Sequence, residues 1–283
     1  MSPDAGSTQG MDRQGAIATS VEDNQGLGHP RVHPPRDCPM ADRYYLYGIF
    51  PAPGPAELPL MGLDDQVVQA QQLGDFTFLY SLACQKRYLS SRKNLLGHEK
   101  VLEAAMEQGH RTLLPLQFGL IVESWEQVQN DLVTPYAEDL THLFKRLDGS
   151  REVSVKVQWE PSTELEMMMA ENTDLRAQRD QLEGTQLGME QVIFIGQQIE
   201  AALEERKQGI VEQFRQALSP LAKDVLENAP QTDVMIYNAA FLIPWESEAE
   251  FGQAVDAIDG TFGDRLRIRY NNFTAPYNFA QLN

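Results

Sequence analysis

From residue 189 to about residue 228 the apolar positions recur every three or four residues, through Ile193, Gly196, Ile199, Leu203, Ile210, Phe214, Leu218, Leu221 and Val225. Such spacing puts them on one stripe of an α-helix. Unbroken, that helix would run about 60 Å, roughly twice the width of a small domain. Pro161 opens a helix that reaches about Leu182, and Gly184 and Gly188 bracket a turn before the long run. The two predict an antiparallel coiled-coil hairpin over about 161–228, bent near its end by Pro220. Residues 160–230 hold 14 acidic and 6 basic side chains, so the outer face of the hairpin is expected to be solvated and negative. The neighbours Glu204 and Glu205 belong to that face rather than to a catalytic carboxylate pair.

The other segments are shorter. Residues 44–50 are aromatic and β-branched and stop at Pro51, which reads as a strand, and the proline-rich 51–59 reads as a loop. Residues 67–70 predict a weak strand and 75–82 a strong one, with Phe76, Phe78 and Tyr80 on one face. An amphipathic helix follows over 92–108, carrying Leu95, Leu96, Val101, Leu102, Ala105 and Met106 and ended by Gly109. Residues 112–118 read as an edge or bulged strand around Pro115. Ser124 caps a helix to about Leu147, kinked by Pro135. In the second half Val153, Val155 and Val157 alternate with polar residues as in a half-buried strand. A strand over 233–243, a helix over 246–261 and a strand over 265–271 complete it. The fold class is therefore α+β: two modified ferredoxin-like domains, 43–149 and 150–283, the second carrying the hairpin. Residues 1–42 contain five glycines, five prolines and no aromatic residue. They cannot bury enough apolar surface to offset their ordering entropy and are predicted to be a disordered N-terminal extension.

Charge and composition exclude several classes. A formal net charge of −18 repels nucleic acid and anionic membrane surfaces, so neither is an expected partner. No run approaches the roughly 18 apolar residues that span a bilayer, and the N-terminus lacks the apolar core of a secretory signal. Two cysteines, Cys38 and Cys84, make no disulfide framework. A reducing cytosol with both as free thiols is the expectation.

Little in the chain resembles a catalytic constellation. It has no glycine-rich phosphate loop, no nucleophile elbow and no HExxH. His29 and His33 fall in the extension. His98 and Glu99 are adjacent on a helix and point apart, so His98 is expected at the surface. Met167, Met168 and Met169 are expected to fill core rather than bind metal. No catalytic residue, metal or cofactor is expected, and the protein is read as a non-enzyme. One charge pattern is unusual: Arg265, Arg267 and Arg269 share a face of the last strand, with Leu266, Ile268 and Tyr270 on the other. This is either an ordinary half-exposed strand or a cationic stripe that docks acidic groups, from the hairpin or from a partner. A ferredoxin-like enzyme or small-molecule-binding module using residues 265–272, with Asn271 and Asn272 beside the arginines, is the alternative reading.

Several long blocks carry a resemblance. YYLYGIFP at 44–51, TLLPLQFGLIVESWEQV at 112–128, EVSVKVQWE at 152–160, DVMIYNAAFLIPWESEAEF at 233–251 and GDRLRIRYNNFTAPYNFAQL at 263–282 resemble the gas vesicle protein F/L family, particularly its cyanobacterial F branch. The resemblance covers about residues 43–283. It implies a minor structural or assembly component of gas vesicles, located in the cytoplasm with them. It also implies association with the small, very hydrophobic major shell protein, and with other gas vesicle accessory proteins. The fold it implies, two modified ferredoxin-type domains with a coiled-coil part in the second, agrees with the pattern above. It brings no catalytic residues.

Overall fold

The computed structural model describes residues 43–56, 58–184 and 188–282. The N-terminal extension, with His29, His33 and Cys38, and residues 185–187 of the expected hairpin turn lie outside them. In chain order the elements are β1 (Tyr44–Pro51), β2 (Gln69–Leu73), β3 (Phe76–Leu82), α1 (Arg92–Glu107), β4 (Leu114–Pro115), β5 (Ile121–Val122), α2 (Trp125–Val128), α3 (Thr134–Leu147), β6 (Ser150–Trp159), α4 (Pro161–Glu171), α5 (Thr173–Gly184), α6 (Met189–Leu218), β7 (Asp224–Glu227), β8 (Met235–Pro244), α7 (Glu248–Phe262) and β9 (Leu266–Thr274). The fold is mixed α+β with two antiparallel sheets, ordered β2-β3-β1-β4, with β5 also on β1, and β7-β8-β6-β9.

β1 is buried on both faces, which is why it reads as a continuous apolar run. A register shift between Leu46 and Gly48 resets the alternation. Tyr45, Tyr47 and Phe50 then pack with Val101, Leu102, Ala105 and Met106 of α1, while Leu46 and Ile49 pack with Phe76, Phe78 and, from α3, Leu140 and Phe144. Gly48 sits where backbone and helix converge: a Cβ there would lie 2.7 Å from Leu102 Cδ2 and 3.1 Å from the Leu114 carbonyl oxygen. In the second sheet Val153, Val155 and Val157 face a layer made by Ile210, Val211, Phe214 and Leu218 of α6 and Phe251, Val255, Ile258 and Phe262 of α7. The opposite face of β8 contributes Ala240 and Leu242 to the cluster of Leu46, Ile49, Phe76 and Phe78, with Phe279 among them. The two sheets thus share an apolar layer.

Several elements differ from the sequence reading. The long helix stops at Leu218, followed by a turn of 3-10 helix at Ser219–Leu221 and then β7. Pro220 has no amide hydrogen to continue the helix, and β7 pairs instead along β8, Asp224 with Leu242 through Glu227 with Ala239. Leu221 and Val225 still pack on the core, so their spacing imitated another helical turn. The helix expected over 161–182 is two, broken at Asn172 (φ −105°, ψ 86°), whose side-chain oxygen accepts from the Leu175 amide at 3.0 Å and starts α5. The strand expected over 112–118 shrinks to Leu114–Pro115. Ser124 does accept from the Gln127 amide, and the helix it opens passes through a π-turn at Gln129–Val133 beside Pro135. Met168 and Met169 fill a small cluster with Leu175.

Two side-chain expectations are corrected as well. His98 is buried: Gly119 N–H donates to the Tyr45 hydroxyl at 3.0 Å, that hydroxyl lies 2.9 Å from His98 Nδ1, and Nε2 lies 3.2 Å from the Leu116 carbonyl. Because a carbonyl only accepts, Nε2 carries the proton and Nδ1 accepts from Tyr45. Burial lowers the His98 pKa to about 4, so the ring is neutral and pins the loop at 116–119 onto the first sheet. Cys84 is disulfide-bonded rather than a free thiol; a low cysteine count argues against a framework, not against a single bridge.

Candidate interaction surface

α6 divides into two parts. Its C-terminal part buries Ile210, Val211, Phe214 and Leu218. In its N-terminal part only Ile195 is buried, near the partly buried Ile199, Ala202 and Leu203 that pack on Met168, Met169 and Leu175 of α4 and α5. The predicted stripe is therefore wrong at its start. Gly196 has open space where a Cβ would stand, so no close helix approach depends on it. Ile193, expected to face inward, is 52% exposed, beside Met189 at 77%, Phe194 at 56% and a half-exposed Val192. Met189, Val192 and Ile193 lie at i, i+3 and i+4 and share one helical face, with Phe194 flanking it. Contiguous exposed apolar side chains rimmed by polar ones are the mark of an interaction site, and the rim here includes Glu190, Gln191, Gln197 and Gln198. A smaller exposed set, Leu89, Leu95 and Leu96, lies at the start of α1.

The arginine trio is not one stripe. Arg265 precedes β9 and donates from Nε (3.0 Å) and Nη2 (2.7 Å) to Glu164 of α4, which also accepts from Arg206 Nε at 2.7 Å. Arg206 reaches Glu171 at 2.7 Å as well. Glu164 is fully buried. Burial alone would raise its pKa, but the hydrogen bonds from Arg265 and Arg206 outweigh this and hold it below the ordinary carboxylate value. Arg265 thus ties α4 to the start of β9. Arg267 and Arg269 are exposed on β9, opposite Gln158 and Lys156 of β6.

Asn271 and Asn272 diverge. Asn272 Nδ2 donates to Glu248 Oε1 at 2.9 Å, which also accepts from the Tyr270 hydroxyl at 3.1 Å. Asn271 lines a polar hollow of about 490 Å³ with Ser154, Lys156, Asn228 and Asn238. At its edge Glu152, almost fully buried, accepts from the Asn278 backbone N–H (2.9 Å) and side-chain Nδ2 (2.6 Å). Burial pushes the Glu152 pKa up to about 7 against the pull of the Asn278 donors. Its hydrogen bonds fasten the C-terminal segment to β6. Among the described residues no group of three or more His, Cys, Asp or Glu is placed to hold a metal ion, and no helix is long and apolar enough to cross a membrane.

Glu152 has a measurable consequence. Its folded pKa lies above its unfolded value of about 4.5, so its contribution to stability is complete below that value and is lost as pH rises through about 7. Glu152→Gln, which resembles the protonated acid, is expected to exceed the parent by about 2 kcal/mol at pH 8 and to match it near pH 4. Melting curves across that range check this. An unchanged difference from pH 4 to pH 8 contradicts it.

The family model for the gas vesicle synthesis protein GvpL/GvpF matches residues 43–281. The chain belongs to that family. Among relatives, gas vesicle protein F of a Nostoc species is 56% identical over 243 residues, covering 86% of this chain and 100% of its own. Gas vesicle protein F of Microcystis aeruginosa is 54% identical over 238 residues, covering 84% and 98%. The crystal structure of the gas vesicle protein GvpF from an Anabaena species superposes with a TM-score of 0.80 at 56% identity, over 86% of this chain and 99% of that one. The matched region in this GvpL/GvpF family member begins at residue 43, one residue before β1, so residues 1–42 lie outside it.

Proposed function

We propose that the protein is a non-catalytic accessory component of gas vesicle formation that binds the small, hydrophobic major shell protein in the cytoplasm, and that it does so through the apolar face of Met189, Val192, Ile193 and Phe194. Family membership supports the gas vesicle role. The observation that carries the contact is the exposure of these four side chains on α6. A hydrophobic client needs an apolar surface to bind, and an acidic carrier keeps the complex dispersed. In this reading each sheet with its helices is one modified ferredoxin-like domain, 43–149 and 150–283, and α4, α5 and α6 form the coiled-coil projection that presents the contact. Nucleic acid and membrane have no part in it, and other gas vesicle accessory proteins are further candidate partners.

The test is complementation. In a strain lacking the gene, a variant with all four residues changed to glutamine, a good helix former, is expected to melt like the parent and yet fail to restore vesicles. Full restoration by that variant would remove the apolar face from the reading.

A further inference from the structure

The second sheet leaves part of one face uncovered. Towards β7 and β8 that face is apolar, with Leu226, Ala240 and Leu242 packed in the layer shared with the first sheet. Towards β9 it carries Ser154, Lys156 and Gln158 from β6 and Arg267, Arg269 and Asn271 from β9. The register sets Lys156 directly opposite Arg269, with Arg267 opposite Gln158. Like charges directly opposite on neighbouring strands destabilise a sheet. Arg43, Arg111, Arg146, Arg206, Arg215 and Arg265 each meet a carboxylate, whereas Lys86, Arg87, Arg92 and Lys93 stand exposed without one among the described residues. Among the described residues Lys156, Arg267 and Arg269 meet none, and the Lys156 amino group donates only to Gln231 Oε1 at 3.4 Å. In a chain with 41 acidic and 23 basic residues, three neighbouring cations without a carboxylate are a local excess that an anionic ligand would relieve. β9 is also an edge strand: among the described residues β6 is its only partner, which leaves backbone donors and acceptors along its other side open to pairing with another chain.

The geometry points to an acidic, extended segment of a partner protein that adds to β9 as a strand and sets its carboxylates against Lys156, Arg267 and Arg269. Pairing with the free edge of β9 fixes the register of the incoming strand. Its side chains alternate between faces, so carboxylates two residues apart match Arg267 and Arg269, which are themselves two apart on one face. Arg265 takes no part, because Glu164 already occupies it. This contact is separate from the apolar face of α6 and does not depend on it.

The experiment is a fluorescence-anisotropy titration of the full chain with a labelled ten-residue peptide that alternates glutamate and valine, at about 20 mM and about 500 mM salt. Saturable binding is expected at low salt. It should weaken at least roughly tenfold at high salt, and by as much in the Lys156→Gln/Arg269→Gln variant. A peptide with glutamine in place of glutamate, and one with its backbone amides N-methylated on the pairing edge, should not bind. Lys156→Gln alone should raise the melting temperature, which also shows that the sheet still folds. The inference is overturned if the glutamate peptide does not bind, if the double variant binds it as well as the parent, or if the glutamine or N-methylated peptide binds equally. It is overturned too if a single-stranded oligonucleotide is preferred, or if Lys156→Gln lowers the melting temperature.

Discussion

Glu164→Gln is expected to lower the unfolding free energy by about 3–4 kcal/mol at pH 7. Breaking a buried ion pair by removing one partner costs about 3–5 kcal/mol, because the remaining charge stays desolvated without its counterion. Here one carboxylate serves two guanidinium groups from different elements, Arg206 on α6 and Arg265 before β9. The lower part of the range applies because Arg206 keeps Glu171 and Arg265 stays partly in water. The sign with pH follows from the depressed pKa of Glu164. A carboxylate held below its unfolded value of about 4.5 contributes stability above that pH and loses it as pH falls through the folded value. The gap between parent and variant should therefore narrow on acidification. Urea unfolding at pH 7 and at pH 3.5 measures both; a gap under 1 kcal/mol at pH 7, or one that widens in acid, contradicts the account.

Phe279→Ala is the other large effect, at about 3–5 kcal/mol, the usual range for emptying a buried phenylalanine site. Phe279 is almost fully buried in the layer formed by Leu46, Ile49, Phe76 and Phe78 from the first sheet and Ala240 and Leu242 from the second. Its neighbour Asn278 supplies both hydrogen bonds to Glu152. Loss of this ring should loosen both sheets in one cooperative transition. Two separated transitions, or a cost below 1 kcal/mol, would show that the layer does not couple them.

The parts of the fold that were readable from sequence are those in which local pattern and tertiary burial agree. Val153, Val155 and Val157 alternate because one face of β6 meets helices and the other does not. Ser124, three residues before the amide that it caps, marks a real helix start. The failures come where a local rule had two solutions. Leu221 and Val225 continue a helical spacing, yet Pro220 and the open edge of β8 turn them into a turn and a strand. Glu164 on an acidic helix reads as solvated, and nothing local says that two arginines, 42 and 101 residues away, close over it. His98 beside Glu99 looks like surface because adjacent helical residues diverge, but the face that His98 takes is the one covered by Tyr45. The apolar stripe of α6 was visible, whereas which stretch of it other helices would leave bare depends on where α4 breaks at Asn172 and α5 begins. That is a tertiary fact, and it places the candidate contact at Met189, Val192, Ile193 and Phe194. The arginine trio was legible as a charge pattern, but its division into one internal tie and two exposed cations needed the register of β6 and β9.

The proposed apolar contact with the shell protein is tested most directly by capture of the purified shell protein on the immobilised full chain, at about 20 mM and about 1 M salt. Burial of apolar surface is not screened by salt, whereas contacts between exposed charges are. The account predicts that capture persists at 1 M salt and is lost when Met189, Val192, Ile193 and Phe194 are all changed to glutamine. Capture that survives the four changes, or that collapses at 1 M salt in the parent, or no association under either condition, would contradict it.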